Sequence, residues 1–247
     1  MGIIGLNRAP LNAFSIAFLD EILTTLKRAG DDPDTRAIIL KSDIDAMFCA
    51  GLDLDVLLDQ PAKGVRAFLQ RLYVDLYDIQ YKMPKPTIAV VDGAARGGGM
   101  TLAISCDVIL ASDRASFGYP EINLGVPPAI HFMHLPRIVG RYRAFELLFS
   151  ARSFDTQEAA QMGLVKRASA ADVFTEAREL ALTFASKPPE AMKLARAAFV
   201  RVNDSDYRRG VAVAVEDFVN AATTPEAQEG LRAFLERRKP AWQNDGR

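Results

Sequence analysis

Phe48-Cys49-Ala50-Gly51-Leu52-Asp53 and Asp92-Gly93-Ala94-Ala95-Arg96-Gly97-Gly98-Gly99-Met100 are the two stretches that decide how this chain folds. The first follows the apolar run Ala37-Ile38-Ile39-Leu40, and the second follows Thr87-Ile88-Ala89-Val90-Val91. Both runs are rich in β-branched residues and read as buried strands, and each glycine turn leads into a helical pattern. A glycine turn at a helix start leaves backbone N–H groups without intrahelical partners. Two such turns side by side can hold one developing oxyanion between two amides.

Outward from these turns the pattern alternates. Phe14, Phe18, Leu19, Ile22, Leu23 and Leu26 recur at helical spacing, and Gly30-Asp31-Asp32-Pro33 closes that helix. A strand at 36–41 precedes the first turn. A second amphipathic helix carries Val65, Phe68, Leu69, Leu72, Leu76 and Ile79, and stops before Met83-Pro84-Lys85-Pro86. Strand 87–92, a short helix over 98–106 and a strand at 107–111 follow. Short links between strand and helix predict right-handed parallel crossovers. From about residue 128 helices dominate, over 129–150, 156–162, 171–186, 188–203, 205–221 and 225–238, with one short strand near 164–168. Thr156 is the expected N-cap and Gly163 the expected C-cap of the 156–162 helix. The expected organisation is an α/β core over 1–187 and a helical region over 188–247.

The chain has 247 residues, enough for one large α/β domain or a domain with a helical appendage. A net charge of −1 predicts neither a nucleic-acid nor a membrane surface. Cys49 and Cys106 form no disulfide framework or zinc spacing, which fits a reducing compartment. No apolar run approaches the roughly 18–20 residues that span a bilayer. The start Met1-Gly2-Ile3-Ile4-Gly5-Leu6 lacks a signal-peptide pattern, and Leu6 stands where a myristoylation pattern needs Ser or Thr. A cytoplasmic enzyme is expected. The triple glycine matches neither the G-x-G-x-x-G dinucleotide spacing nor a phosphate-binding loop, since no Gly-Lys-Ser/Thr follows.

Taken in order, Leu6-Asn7-Arg8-Ala9-Pro10-Leu11-Asn12-Ala13, the two glycine turns, Cys106-Asp107, Phe117-Gly118-Tyr119-Pro120-Glu121 and Ala159-Ala160-Gln161-Met162-Gly163-Leu164-Val165 resemble the crotonase (enoyl-CoA hydratase/isomerase) superfamily. The match covers nearly the whole chain. It implies a crotonase (ClpP-like) α/β spiral of strand–strand–helix turns and a helical C-terminal trimerisation region. The partners it implies are an acyl-CoA thioester substrate and further copies of the chain, as a homotrimer or a dimer of trimers. No metal or redox cofactor is implied, because CoA arrives with the substrate. Family members carry a further strand pair before the Asn-Arg-Pro stretch, so the first strands are expected to be shortened or absent.

The resemblance also assigns residues. The oxyanion hole is implied at the backbone amides of Leu52 and Gly98, where fixed donors that cannot titrate meet the thioester oxygen as it becomes an enolate. Glu121 matches the general acid/base position, and its apolar neighbours Phe117, Pro120, Ile122 and Leu124 are expected to raise its pKa. Hydratases of the family hold water between two glutamates, the other lying two residues after the triple glycine; here that residue is Thr101. Threonine hydrogen-bonds a water but does not titrate near pH 7. One carboxylate suffices to move a proton between C2 and C4 of a 3-enoyl thioester. Double-bond isomerisation therefore leads, and hydration, decarboxylation, thioester hydrolysis and non-catalytic acyl-CoA binding stay open. CoA contacts are expected at Ala50, Asp53, Leu54 and Gly97, and from the basic Arg237. His131 and His134 fall on one helix face without a third metal-ligand motif, and read as structure. Phe132 and Met133 are expected to shorten or reshape the acyl pocket.

Overall fold

Strands that are apolar along their whole length can be buried on both faces, and here they are. In the computed structural model, which describes residues 1–168, 172–204 and 206–243, Ile38 and Leu40 face the main core while Ile39, between them, faces the other way. The chain opens with β1 (Gly2–Leu6), α1 (Ile16–Asp31), β2 (Ile38–Ser42), β3 (Met47–Cys49), a 3-10 turn at Leu54–Val56 and α2 (Ala62–Leu69). A wider π-helical turn over Gln70–Asp75 leads into α3 (Leu76–Lys82). Next come β4 (Thr87–Val91), β5 (Ala94–Arg96), α4 (Gly98–Ile104), β6 (Val108–Ala111), β7 (Ser116–Gly118) and a 3-10 turn over Pro120–Leu124. Helices α5 (His131–Val139) and α6 (Arg141–Ser150) precede β8 (Ser153–Asp155), α7 (Thr156–Gln161), β9 (Lys166–Arg167) and α8 (Val173–Ala185). The chain closes with α9 (Pro189–Asn203), α10 (Tyr207–Ala222), α11 (Pro225–Leu235) and a 3-10 turn at Ala241–Gln243.

Two sheets result. The larger has the order β1-β2-β4-β6-β9 and is parallel throughout. The smaller has the order β3-β5-β7-β8, parallel except for the last pair. The pairs β2/β3, β4/β5 and β6/β7 each give one strand to each sheet before the chain turns back through helix. That is the strand–strand–helix spiral of the crotonase fold. Helix α8 covers the outer face of the large sheet, placing Val173, Ala177 and Ala181 on Ile39, Ile88, Val90 and Leu110. Burying a side chain of this size contributes about 1.5–3 kcal/mol, so the double-faced strands account for much of the stability.

Several expectations change. The start of the chain forms one strand, β1, paired from Gly2↔Ile38 to Leu6↔Ser42, where a pair of strands shortened or absent was expected. The helix expected over 65–79 is interrupted by the π-helical turn, and that over 129–150 breaks at Gly140, whose φ is +83°. Thr156 is not the N-cap of α7: Asp155 accepts from the N–H of Glu158, while Thr156 Oγ1 donates to the carbonyl of Ser112 at 2.6 Å. Gly163 does follow the helix end, with φ +76° and Leu164 N–H returning to the carbonyl of Ala159 at 3.0 Å. Ala171 and Ser205, the first residues of two expected helices, lie outside the described residues, as do 244–247. No helix among the described residues is long and apolar enough to cross a membrane.

Candidate active site

The first glycine turn is braced from the N-terminal loop. Asn12, fully buried, accepts from the N–H of Arg8 (2.8 Å) and donates through Nδ2 to Ser42 Oγ (2.8 Å) and the carbonyl of Phe48 (3.0 Å). Ala50 N–H donates to the carbonyl of Leu11 (3.0 Å), and Phe14 N–H to that of Gly51 (2.7 Å). The Asn-Arg-Ala-Pro-Leu-Asn stretch is thus a strut that holds the turn in place.

The two turns meet backbone to backbone. Gly51 has φ +96°, and a Cβ built on it would fall 2.9 Å from the carbonyl oxygen of Arg96 and 3.1 Å from the nitrogen of Gly98. Only glycine tolerates both that conformation and that approach. Among the described residues no acceptor meets the N–H of Leu52 or that of Gly98. On the other side of the second turn, Gly97 has φ +49°, and a Cβ there would fall 2.8 Å from Glu121 Oε1. The Glu121 carboxylate therefore lies directly over the glycine that precedes the Gly98 amide.

Glu121 is carried by the turn over Pro120–Leu124, which ends at Gly125 in the left-handed region and is backed by α11. Parts of the residue remain accessible, but Oε2 is buried and has no hydrogen-bond partner among the described residues. Burial pushes the carboxyl up to about 7, against a lowering pull from its own backbone N–H. Tyr73, in the π-helical turn, and Tyr119 are buried within the field of Glu121; burial first, and that charge second, hold both phenols protonated above their ordinary range.

Thr101 is buried on α4, and its Oγ1 lies 3.4 Å from His131 Nε2. That same nitrogen lies 3.3 Å from the carbonyl oxygen of Gly97. Burial first, then the neighbouring His134, holds His131 well below the ordinary histidine range; burial and Arg137 push His134 down to about 4. Both rings are neutral near pH 7. Among the described residues no cluster of three or more His, Cys, Asp or Glu side chains forms around them. Phe132 stacks on Phe149 of α6, and Met133 lies against Gly210 of α10, so both are taken up in helix packing and do not wall the cavity beside the site. That cavity, about 790 Å³, adjoins the site through Tyr73, Thr101, Ile130 and His134 but is not lined by Leu52, Gly98 or Glu121.

The structure thus brings Gly97, Gly98, Leu52, Thr101 and Glu121 together around one backbone junction. Ala50 belongs to its bracing. Asp53 is otherwise engaged: its carboxylate pairs with Arg8 at 2.7 Å and its N–H donates to the carbonyl of Phe14 at 3.1 Å, while Leu54 starts the 3-10 turn beyond. Arg237 is exposed just past α11, with φ +54°, and no hydrogen bond or ion pair joins it to the other candidates among the described residues. Sequence reasoning missed the contact of His131 with Gly97 and Thr101, and the placing of Tyr73 near Glu121. Spacing along the chain carries no signal for either.

Comparison with known proteins agrees with this geometry. A sequence model of the family described as enoyl-CoA hydratase/isomerase matches residues 1–245. A Mycobacterium bovis protein named "Probable enoyl-CoA hydratase echA8" is 37% identical over 246 residues, covering 97% of this chain and 93% of the relative. The mitochondrial methylglutaconyl-CoA hydratase of Mus musculus is 33% identical over 250 residues, covering 98% of this chain and 79% of that protein. A solved enoyl-CoA hydratase/isomerase from Pseudoalteromonas atlantica superposes with a TM-score of 0.82 at 28% identity, covering 96% of this chain and 94% of the other. With its parallel spiral and abutting glycine turns, this chain belongs to the enoyl-CoA hydratase/isomerase family of the crotonase superfamily.

Proposed function

We propose that this protein shifts the double bond of a 3-enoyl-CoA thioester into conjugation, using a single carboxylate. Glu121 takes a proton from C2, and the electron pair moves into the thioester carbonyl. The resulting dienolate oxygen is held by the N–H groups of Leu52 and Gly98. The protonated Glu121 then returns the proton at C4, leaving the 2-enoyl thioester. Thr101 places a water or shapes the pocket, and CoA lies along Ala50, Asp53, Leu54 and Gly97, with Arg237 near its phosphates. The carrying observation is the pairing of one carboxyl, pushed to about 7, with two unpartnered amides around Gly97, while threonine stands at residue 101. A pKa near neutrality lets one group both take and give a proton.

Hydration of a 2-enoyl-CoA is the second reading, favoured by the names of the relatives and by the polar Thr101–His131 pair. A short 3-enoyl-CoA separates the two. A rise in the ultraviolet absorbance of the conjugated thioester that disappears in Glu121→Gln supports isomerisation. A flat trace with bound substrate, together with loss of absorbance from 2-enoyl-CoA, selects hydration. We further propose a cytoplasmic homotrimer or dimer of trimers. The exposed apolar side chains Phe145, Phe149, Leu194, Phe199 and Val202 on α6 and α9 support self-association.

A further inference from the structure

The Gly97 carbonyl and the Gly98 N–H belong to one peptide unit, and in a trans peptide they point in opposite directions. A carbonyl oxygen can only accept, so the 3.3 Å contact is a hydrogen bond in the tautomer that carries the ring proton on Nε2. In the other tautomer Nε2 accepts instead from Thr101 Oγ1, 3.4 Å away, and it is the first tautomer on which the inference rests. Nδ1 then bears the lone pair, and it is buried without a partner among the described residues, so none of them is in place to stabilise a second proton there. The ring is fixed from outside by Tyr119, 4.5 Å away between centroids, and by His134 at 5.6 Å. Thr101 N–H donates to the same Gly97 oxygen at 3.1 Å as the first hydrogen bond of α4. The peptide oxygen thus receives two donors, while the N–H at its other end meets no acceptor among the described residues. Hydrogen bonds in series through one peptide polarise each other.

We infer that His131 is a positioning residue for the oxyanion hole. Its Nε2–H, donated to Gly97, anchors and polarises the peptide whose other end presents the Gly98 amide to the thioester oxygen. This rests on the reading of Gly98 N–H as an oxyanion donor. Because the gain is largest when the oxygen carries full negative charge, the effect falls on kcat and leaves KM unchanged. If a polarising partner strengthens a donor by 10–30% of its worth, its loss slows turnover by about two- to eightfold.

The test uses the infrared carbonyl band of bound butanoyl-CoA labelled with carbon-13 at the thioester, with kcat and KM for a short 3-enoyl-CoA measured alongside. His131→Phe keeps a ring beside Tyr119 but removes the donor; His131→Gln restores an N–H donor. Should the phenylalanine variant not fold, His131→Met, flexible and also without a donor, takes its place. The expected result is a downshifted carbonyl band in the unsubstituted protein, a smaller downshift with lower kcat and unchanged KM in His131→Phe, and recovery of both in His131→Gln. A full downshift in His131→Phe, or equal loss in the two variants, overturns the proposal. No downshift in the unsubstituted protein overturns the oxyanion-hole reading itself, and this inference with it.

Discussion

Glu121→Gln changes more than turnover, because the raised carboxyl is linked to stability. The folded chain holds this proton up to about pH 7, whereas the ordinary carboxyl value is 4.5. The contribution of the group to stability is therefore intact below pH 4.5 and falls as pH rises, levelling off above about 7, where the buried group is ionised in the folded chain. A shift from 4.5 to about 7 corresponds to about 3 kcal/mol at 1.36 kcal/mol per pH unit. Glutamine keeps the shape without the charge. At pH 8 the variant is expected to be more stable than the parent by about 3 kcal/mol, or about 6–12 °C in melting temperature for a chain of this size. At pH 4.5 the advantage vanishes. Paired thermal melts across pH 4.5–8 measure the difference, and the pH profile of kcat/KM reports the same titration with a limb rising to about 7. An advantage that is flat with pH, or a kinetic limb near 4.5, would refute the enclosed, desolvated carboxylate on which the proton-shuttle role depends.

Other perturbations have smaller but distinct readouts. Asn12→Ala leaves the Arg8 N–H and the Phe48 carbonyl unpaired beneath the first glycine turn; we expect about 2–3 kcal/mol of lost stability in denaturant melts, with turnover falling as the Leu52 amide loosens. Arg196→Met strands Asp107 (2.9 Å) and the carbonyls of Met83 and Gln80 (2.8 Å for the latter), and is expected to cost about 3 kcal/mol by the same assay without altering the pH profile. Thr101→Glu adds a second carboxylate beside Glu121. The ratio of 2-enoyl-CoA hydration to 3-enoyl-CoA isomerisation, followed by absorbance, should rise, and an unchanged ratio would count against threonine as the reason for isomerase chemistry.

Much of the architecture was legible because it rests on local periodicity. A strand apolar on both faces, such as 87–91, can sit only inside a covered parallel sheet, and the glycine runs at 51 and 97–99 mark the sharp turns that follow strands. Breaks within helices were not legible. The break at Gly140 lies in open space and follows the positive φ of the glycine itself. The π-helical turn at 70–75, by contrast, packs against α1 and α10, elements distant in sequence, and the apolar stripe of Val65, Phe68, Leu69, Leu72 and Leu76 runs through it without interruption. The N-cap of α7 passed from Thr156 to Asp155 for a similar reason. The threonine hydroxyl is drawn to the carbonyls of Ser112 and Ala115, more than forty residues away in the chain.

The same division runs through the site. Which residues could serve was written in the sequence: turns with free amides, a glutamate among apolar neighbours, and a threonine at residue 101 that cannot titrate. Only the tertiary structure decided that Gly51 abuts Gly98, that Glu121 lies over Gly97, and that His131 reaches the Gly97 carbonyl across 34 residues of chain. Side-chain chemistry and hydrophobic period are properties of neighbours in sequence. Backbone junctions and burial exist only once the sheets have stacked and excluded water, and it is these that set the pKa of Glu121 and the direction of two amides.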